Sequence, residues 1–388
     1  MDFATALAVL ASVAPVALAL SPALAIRHGI EAAVRNGILI RDGATVRRAE
    51  MIDTVIFNRV GTLAENDMHV ESVTAAHGEN PELVLRVAGA LALESDHPVS
   101  RALVKAAREA RDTGAGGDDV PHWIEVSHAE DDGQGSFRGL VDLPIRGADD
   151  TVTTTQVEAI LWRPRTMSDL HGRLAAAVVS GGTPIVVRWK GKDRGVISLH
   201  DNVKPDAEVA VEQLEQLGIE TVMLSRDTYP VARRYADRIG ISQVLAGIAP
   251  ARKPHTVRAV HTQGATVAMV GDVSVMSSLR VADVGILMGD TDTSDAVDHI
   301  THAGHPDVDV IILRQDVSAI PQLIAQSRRV CRIIDTNIIF AWTYNGIALL
   351  ASVAGVLHPM AATVLMLGSS LFIEARSNSA RAFRRAVG

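Results

Sequence analysis

Three short apolar runs in this chain each end at a polar loop. Runs of this length without polar residues are typical of strands buried on both faces of a parallel sheet. Ligands of open α/β sheets bind at the carboxyl ends of the strands, so the loops are the predicted functional site. The runs and the loops that follow them are residues 54–57 with 58–62, 222–224 with 225–227, and 267–270 with 271–272.

The middle of the chain alternates apolar runs with stretches of helical period. Further runs lie at 195–199 and 284–287, and helical periods lie at 205–217 and 230–239. This alternation predicts a doubly wound parallel sheet covered by helices, which is an α/β fold. Residues 70–190 interrupt the pattern, are rich in Gly, Asp and Thr, and carry helix and strand signals of their own. They predict a second, α+β domain inserted into a loop of the first.

Apolar residues concentrate at the two ends of the chain. Residues 3–26 carry no charged side chain, and a helix of this length crosses a hydrocarbon core of about 30 Å. A cleaved signal peptide is the alternative, but no basic residue precedes the run. Residues 336–357 and 359–377 give two more predicted transmembrane helices. Arginines follow the first and the last span, which places the large middle in the cytosol and the N-terminus outside.

Composition excludes several classes of protein. The formal net charge of -8 argues against nucleic acid as a partner. A single cysteine, Cys331, excludes an intramolecular disulfide and a cluster of thiolate metal ligands.

Seven short motifs follow one another in a fixed order along the chain. They are residues 36–41 (NGILIR), 58–62 (NRVGT), 95–98 (SDHP), 201–205 (DNVKP), 223–227 (MLSRD), Lys253 with 271–272 (GD), and 282–286 (ADVGI). Each is weak alone, but their order and spacing together resemble the C-terminal half of a heavy-metal P-type ATPase of the copper-transporting kind. The resemblance runs almost from end to end.

This resemblance implies a haloacid dehalogenase (HAD)-like phosphorylation domain, or P-domain, formed by residues 51–69 and 191–330. It implies a nucleotide-binding domain, or N-domain, at 70–190 and a stalk at 27–50. With the three predicted helices, it implies a multi-pass protein of the plasma membrane.

The chain departs from the family at the residues that carry its chemistry. The family's phosphorylated aspartate is Asn58, whose amide is a poor nucleophile and a poor Mg²⁺ ligand. Thr62, Asp227 and Lys253 complete the catalytic set that the resemblance implies, and Arg59 replaces the family's lysine and keeps its charge. Arg226 replaces a glycine, and we expect it to block close approach of a phosphate. The family's membrane Cys-Pro-Cys site falls on residues 14–16, which keep only the proline.

ATP and Mg²⁺ are the cofactors that the resemblance implies. His97, Gly133, Gly135 and Ser225 are the implied nucleotide contacts, although a His-Pro pair is more often a helix start. Asp272 is the implied, weak Mg²⁺ ligand. A carboxylate that caps its own loop is the equally weighted alternative, because the family's second aspartate is missing from 273–276.

These departures predict a catalytically inactive relative with a regulatory or scaffolding role in the bilayer. Its expected partner is another P-type ATPase chain or a membrane subunit, contacted through helix faces that include Asn345 and Ser370. The alternatives are a cation translocase completed by another chain and a truncated gene remnant. A HAD-type phosphatase is disfavoured by the same missing nucleophile.

Overall fold

The computed structural model describes residues 3–13, 15–65, 67–95, 97–117, 120–131, 136–146, 152–180, 182–288 and 308–383. The chain divides into two compact units. One comprises Met1–Val55, Glu212–Glu220 and Val257–Gly388, and the other comprises Ile56–Val211 and Thr221–Thr256. We call the first the helical unit and the second the loop unit.

The strands, in chain order, are β1 (Ile38–Ile40), β2 (Thr54–Asn58), β3 (His69–Ala75), β4 (Val126–Asp131), β5 (Phe137–Arg146), β6 (Val152–Trp162), β7 (Thr183–Trp189), β8 (Lys192–His200), β9 (Glu220–Leu224), β10 (Gln243–Leu245), β11 (Val267–Gly271), β12 (Val284–Met288) and β13 (Val310–Ile312). The helices are α1 (Phe3–Ser12), α2 (Pro15–Arg35), α3 (Gly43–Glu50), α4 (Pro81–Leu91), α5 (Pro98–Asp112), α6 (Gly172–Ser180), α7 (Ala207–Gln216), α8 (Tyr229–Ile239), α9 (Lys253–Thr262), α10 (Met276–Leu279), α11 (Ala319–Val353) and α12 (Pro359–Asn378).

The apolar runs of the middle form the expected parallel strands. In the helical unit the strand order is β1-β13-β12-β11, where β11, β12 and β13 are parallel and β1 pairs antiparallel with β13. In the loop unit the order is β2-β9-β10, and β9 and β10 are parallel. Strands β11 and β12 are buried along their whole length, as expected for strands covered on both faces.

One of the apolar runs was assigned to the wrong sheet. Residues 195–199 lie in β8, not in the parallel sheet. Strand β8 pairs antiparallel with β3 and β7. The strand Lys192–His200 is apolar over 195–199 because both of its faces are covered there, so its sequence does not distinguish the two kinds of sheet.

The inserted region of the loop unit is a six-stranded antiparallel sheet with the order β3-β8-β7-β6-β5-β4. Helices α4 and α5 cover one face, where Val87, Leu103 and Ile197 belong to one buried cluster. Helix α6 covers the other face, where Leu174 and Val178 pack with buried residues of β7 and β8. Each of α4 and α5 begins with a capping side chain followed by proline, the arrangement expected at helix N-termini.

The apolar ends of the chain are helical, but the first predicted span is not one helix. Residues 3–26 are divided between α1 and α2, and α2 begins at Pro15, where a missing backbone N–H is harmless. Helix α2 packs against both α11 and α12. Among the described residues, α11 is the one helix long and apolar enough to cross a membrane by length and composition. The predicted count of three spans stays a prediction.

A buried polar contact joins these three helices. The Asn337 side chain of α11 donates from Nδ2 to Ser21 Oγ of α2 at 2.9 Å and to Ser377 Oγ of α12 at 3.1 Å. All three residues are buried. Since hydrogen bonds between buried polar groups fix helix positions, this triad sets the relative register of α2, α11 and α12.

Candidate functional site

The loop unit positions a sharp turn directly after β2. Strand β2 is buried along its whole length and ends at Asn58. Val60 (φ -75°, ψ 136°) and Gly61 (φ 79°, ψ -1°) then form the two central positions of a type II turn. A side chain at the second of these positions would be strained, so Gly61 allows the chain to reverse there. The turn keeps the side chain of Asn58 inside the loop.

The amide of Asn58 has a partner on each side. Lys253 Nζ donates a hydrogen bond to Asn58 Oδ1 at 2.6 Å, and Asn58 Nδ2 donates to the carbonyl oxygen of Val60, also at 2.6 Å. The residue is 2% exposed. The two partners fix the orientation of the amide, because an ammonium can only donate and a carbonyl can only accept.

Arg59 lies in a buried ion pair with Asp227. Its Nε is 2.9 Å from Asp227 Oδ2, and both side chains are almost fully buried. Its Nη2 donates to Thr183 Oγ1 at 2.9 Å, and its guanidinium carbon lies 5.3 Å from the centre of the Tyr235 ring. The positive charge that replaces the family's lysine is therefore engaged within the loop unit.

The pKa of Asp227 reflects this surrounding charge. Burial raises the pKa of the carboxyl, but the guanidinium groups of Arg59 and Arg163 outweigh burial and hold the pKa below its ordinary value. Ser225 Oγ also donates to Asp227 Oδ2 at 2.8 Å. Burial in turn lowers the pKa of Arg163 to about 10. Asp227 is thus a charged, fully partnered carboxylate.

The structure brings together five of the sequence-predicted site residues. Asn58 contacts Lys253, and Ser225 contacts Asp227, which is linked through Arg59 to the loop that carries Asn58 and Thr62. The hydroxyl of Thr62 is buried and has no hydrogen-bond partner among the described residues. The residue itself is fully buried. The blocking role predicted for Arg226, which is partly buried, stays a prediction.

Of the nucleotide contacts predicted in the inserted region, the structure describes His97. His97 is the N-cap of α5, and its Nδ1 accepts a hydrogen bond from the backbone of Val99 at 3.2 Å. This geometry is that of a helix start. Gly133 and Gly135 lie outside the described residues.

Asp272, in the helical unit, caps its own loop. Its side chain accepts hydrogen bonds from the backbone N–H of Ser274 at 3.2 Å and from the Ser274 hydroxyl. In the part of the chain that the structure describes, no three His, Cys, Asp or Glu side chains are grouped so as to hold a metal ion. The donor atoms seen here do not by themselves constitute a resident Mg²⁺ site.

Sequence reasoning missed three features of this region. Arg59 was expected only to keep the charge of the family's lysine, and its ion pair with Asp227 was not foreseen. Arg163 contributes charge at the same carboxylate. Asp201, quoted only as part of a motif, is 4% exposed and neither of its carboxylate oxygens has a partner among the described residues. No sequence pattern signals these contacts, because the residues are far apart along the chain.

Chemically, the loop presents hydrogen-bond donors without a nucleophile. Lys253 and the hydroxyl of Thr62 are groups that can contact a phosphate oxygen. Asn58 offers an amide where phosphoryl transfer to the protein needs a carboxylate, and Asp227 is held by Arg59. The loop therefore offers hydrogen-bond donors to an oxyanion and presents an amide at the position of Asn58.

Comparison with known proteins gives a consistent family assignment. A family model described as haloacid dehalogenase-like hydrolase matches residues 52–274. A copper-exporting P-type ATPase of Staphylococcus haemolyticus is 30% identical over 369 residues, which is 95% of this chain and 43% of that protein. The probable copper-exporting P-type ATPase V of Mycobacterium tuberculosis is 31% identical over 396 residues, which is 98% of this chain and 46% of that protein. The chain thus spans less than half of the length of these relatives.

Two solved structures support the fold. A zinc-transporting PIB-type ATPase in the E2.Pi state covers 94% of this chain and 56% of its own length, with a TM-score of 0.63 and 24% identity. The catalytic domain of the CPx-ATPase CopB-B matches 75% of this chain and 96% of its own length, with a TM-score of 0.54 and 21% identity. The expected HAD-like α/β fold with an inserted α+β region is confirmed.

Proposed function

Because the chain belongs to the haloacid dehalogenase-like hydrolase family and matches copper-exporting P-type ATPases over 95% of its length, we propose that it is a metal-transporting P-type ATPase relative that does not transfer phosphate. In this proposal the phosphorylation loop survives as a folded, binding-competent element. The role of the protein is then regulatory or scaffolding, exercised in the membrane that its relatives occupy.

The observation that carries the proposal is the pairing of the Asn58 amide. Its oxygen faces the Lys253 ammonium, and its nitrogen faces the Val60 carbonyl oxygen at 2.6 Å. A carboxylate in the same position would keep the first contact but would place an oxygen against another oxygen in the second. The loop is therefore adapted to an amide, and Asn58 is an integrated part of the fold rather than a tolerated defect.

The residues at the implied Mg²⁺ site also support an absence of phosphoryl transfer. Phosphoryl transfer in this family depends on positioning and on neutralisation of charge by a metal and by cations. Asp272 caps its loop through Ser274, and the segment after it lacks a second aspartate. Weak binding of ATP with Mg²⁺ is compatible with the proposal, whereas hydrolysis of ATP is not.

ATP hydrolysis by the full-length chain in lipid nanodiscs tests this proposal. We expect no phosphate release above that of empty nanodiscs, with Mg²⁺ and ATP present and with copper or zinc added. Mass spectrometry of the peptide that contains Asn58 is the control for deamidation, which would create the missing carboxylate. Metal-stimulated hydrolysis by a chain that retains Asn58 would refute the proposal and favour a working cation translocase.

The proposed partner is another membrane chain, bound through the exposed sides of α11 and α12. These sides carry large apolar side chains such as Ile347, Leu350 and Leu367. Asn345→Leu combined with Ser370→Leu should abolish co-purification with a P-type ATPase from the same membrane. Substitution of the interior Ser369, which is buried, by alanine is the matched control. Equal recovery of the partner with both variants would reject this interface.

A further inference from the structure

A cavity lies within the loop unit, outside the contacts of Asn58. It has a volume of about 210 Å³ and is partly open to solvent. Strands β7 and β8 provide one wall, the loop after β2 provides another, and α8 provides the third. Among its lining residues are Arg59, Thr183, His200, Asp201, Tyr235 and Arg238.

Two buried polar groups on this cavity lack partners in the described part of the chain. Neither oxygen of the Asp201 carboxylate accepts a hydrogen bond, and the Tyr235 hydroxyl makes none. Asp201 is 4% exposed and Tyr235 is 8% exposed. Buried polar atoms in folded proteins are almost always paired, so two such groups on one cavity call for a specific explanation. A bound ligand that meets both of them supplies it.

The charges on the walls restrict what this ligand can be. Arg234 and Arg238 of α8 line the cavity, and so does Arg59, whose charge is already paired with Asp227. Glu71 and Asp201 are the acidic lining residues. Burial raises the pKa of Asp201 to about 6, with Arg59 acting in the opposite direction, so the carboxyl is ionised at neutral pH only at a cost. A ligand with negative charge for Arg238 at the rim and a proton for the Asp201 carboxylate matches this lining.

A protonated phosphate group has both properties. Its O–H group can donate to the Asp201 carboxylate, and its charged oxygens can accept hydrogen bonds from the Tyr235 hydroxyl and from guanidinium groups. A fully ionised oxyanion such as sulfate has the charge but no proton at neutral pH. A metal cation fits poorly, because no group of three metal-ligating side chains is present in the described residues.

We propose that this cavity is a binding site for a protonated phosphate group, either inorganic phosphate or a phosphomonoester. Asp201 is the proton acceptor that selects for it, and Arg238 is the guanidinium at the rim that attracts it. The site joins the loop that contains Asn58 to the inserted sheet, since Arg59 and Thr183 both belong to its lining.

Isothermal titration of the full-length chain in detergent at neutral pH tests the proposal, with inorganic phosphate and sulfate as the probes. Sulfate can bind only if Asp201 first takes up a proton, so we expect phosphate to bind up to about tenfold more tightly than sulfate at neutral pH. Asp201→Asn should remove this preference, because its neutral side chain can donate a hydrogen bond to either anion. Asp237→Asn is the matched control, since Asp237 lies on α8 but outside the lining.

Arg238→Gln gives an independent test at an exposed position, where the substitution does not threaten folding. It should weaken phosphate binding about tenfold or more. Titration with a phosphomonoester that carries no nucleobase, such as glycerol 3-phosphate, separates the two sources: tighter binding than inorganic phosphate assigns the site to a monoester, and weaker binding assigns it to the free ion. Equal affinity for phosphate and sulfate in the natural chain, or phosphate binding unchanged in both variants, would overturn the proposal. None of these results depends on whether the chain hydrolyses ATP.

Discussion

Replacing Arg59 by methionine should strongly destabilise the loop unit. The substitution keeps an unbranched side chain but removes the positive charge 2.9 Å from Asp227. It also removes the hydrogen bond to Thr183 and the contact with the Tyr235 ring. Asp227 is then left as a buried carboxylate that retains the Ser225 hydrogen bond and the more general influence of Arg163.

The magnitude follows from the burial of the pair. Removing one partner of a buried ion pair costs about 3–5 kcal/mol, because the other charge stays buried without compensation. Asp227→Leu in the same background should recover part of this loss, so that the coupling energy of the pair is about 2–3 kcal/mol. Arg233→Met is the control on α8, where a surface ion pair with Asp237 should contribute little to stability.

Urea unfolding of the full-length chain, followed by tryptophan fluorescence, provides the measurement. Trp162 and Trp189 report on the loop unit, since they lie in β6 and β7. The pKa of Asp227 is lowered in the folded chain, so its stabilising contribution is present above the unfolded carboxyl pKa of about 3.9 and is lost as the pH falls through the lower folded value. The difference in unfolding free energy between the natural chain and Arg59→Met should therefore become smaller at acid pH. A loss of unfolding free energy below about 1 kcal/mol for Arg59→Met at neutral pH would refute this reasoning. So would a double variant whose loss equals the sum of the losses of Arg59→Met and Asp227→Leu.

Three further outcomes are expected. Asp201 has a folded pKa of about 6, above its unfolded value, so its stabilising contribution is present below about pH 4 and is lost as the pH rises to about 6. Asp201→Asn should flatten this pH dependence of the unfolding free energy, measured by urea titration without phosphate. At neutral pH it should raise the unfolding free energy by about 1–3 kcal/mol. Arg328 donates to the backbone oxygens of Glu50, Ile52 and Leu217, so Arg328→Lys should cost roughly 2–4 kcal/mol in thermal unfolding, whereas the exposed Arg332→Lys should be neutral. Asn337→Leu breaks the contacts among α2, α11 and α12 and should lower detergent stability by about 1–2 kcal/mol, with no change expected if those helices pack through apolar contacts alone.

The sequence predicted those parts of the fold that depend on local pattern. The runs that became β2, β9, β11 and β12 were identified from apolar content, and the first three also from the polar loops that follow them. The run 195–199 was assigned to the wrong sheet because a strand covered on both faces has the same composition in a parallel and an antiparallel sheet. The division of residues 3–26 between α1 and α2 depends on one residue, Pro15, whose effect a hydropathy pattern does not register.

For the site, the sequence predicted the identities of the residues but not their pairing. Asn58 and Lys253 are 195 positions apart, so the hydrogen bond between them could not be inferred from spacing. Arg59 was expected to stand in for a lysine, whereas tertiary structure pairs it with Asp227 and Thr183. Asp201 gave no signal beyond its motif, because an unpartnered carboxylate is defined by what surrounds it in space. Long-range pairing of charges is the kind of information that a single sequence lacks.

Phosphorylation of membranes by radiolabelled ATP tests the central claim, that a loop adapted to the Asn58 amide forms no acyl phosphate. The natural chain and Asn58→Asp are compared, each before and after treatment with hydroxylamine, which cleaves acyl phosphates. The natural chain should carry no hydroxylamine-sensitive label; label confined to Asn58→Asp would attribute the loss to this one side chain. A hydroxylamine-sensitive label on natural chain whose Asn58 is intact by mass spectrometry would contradict the account.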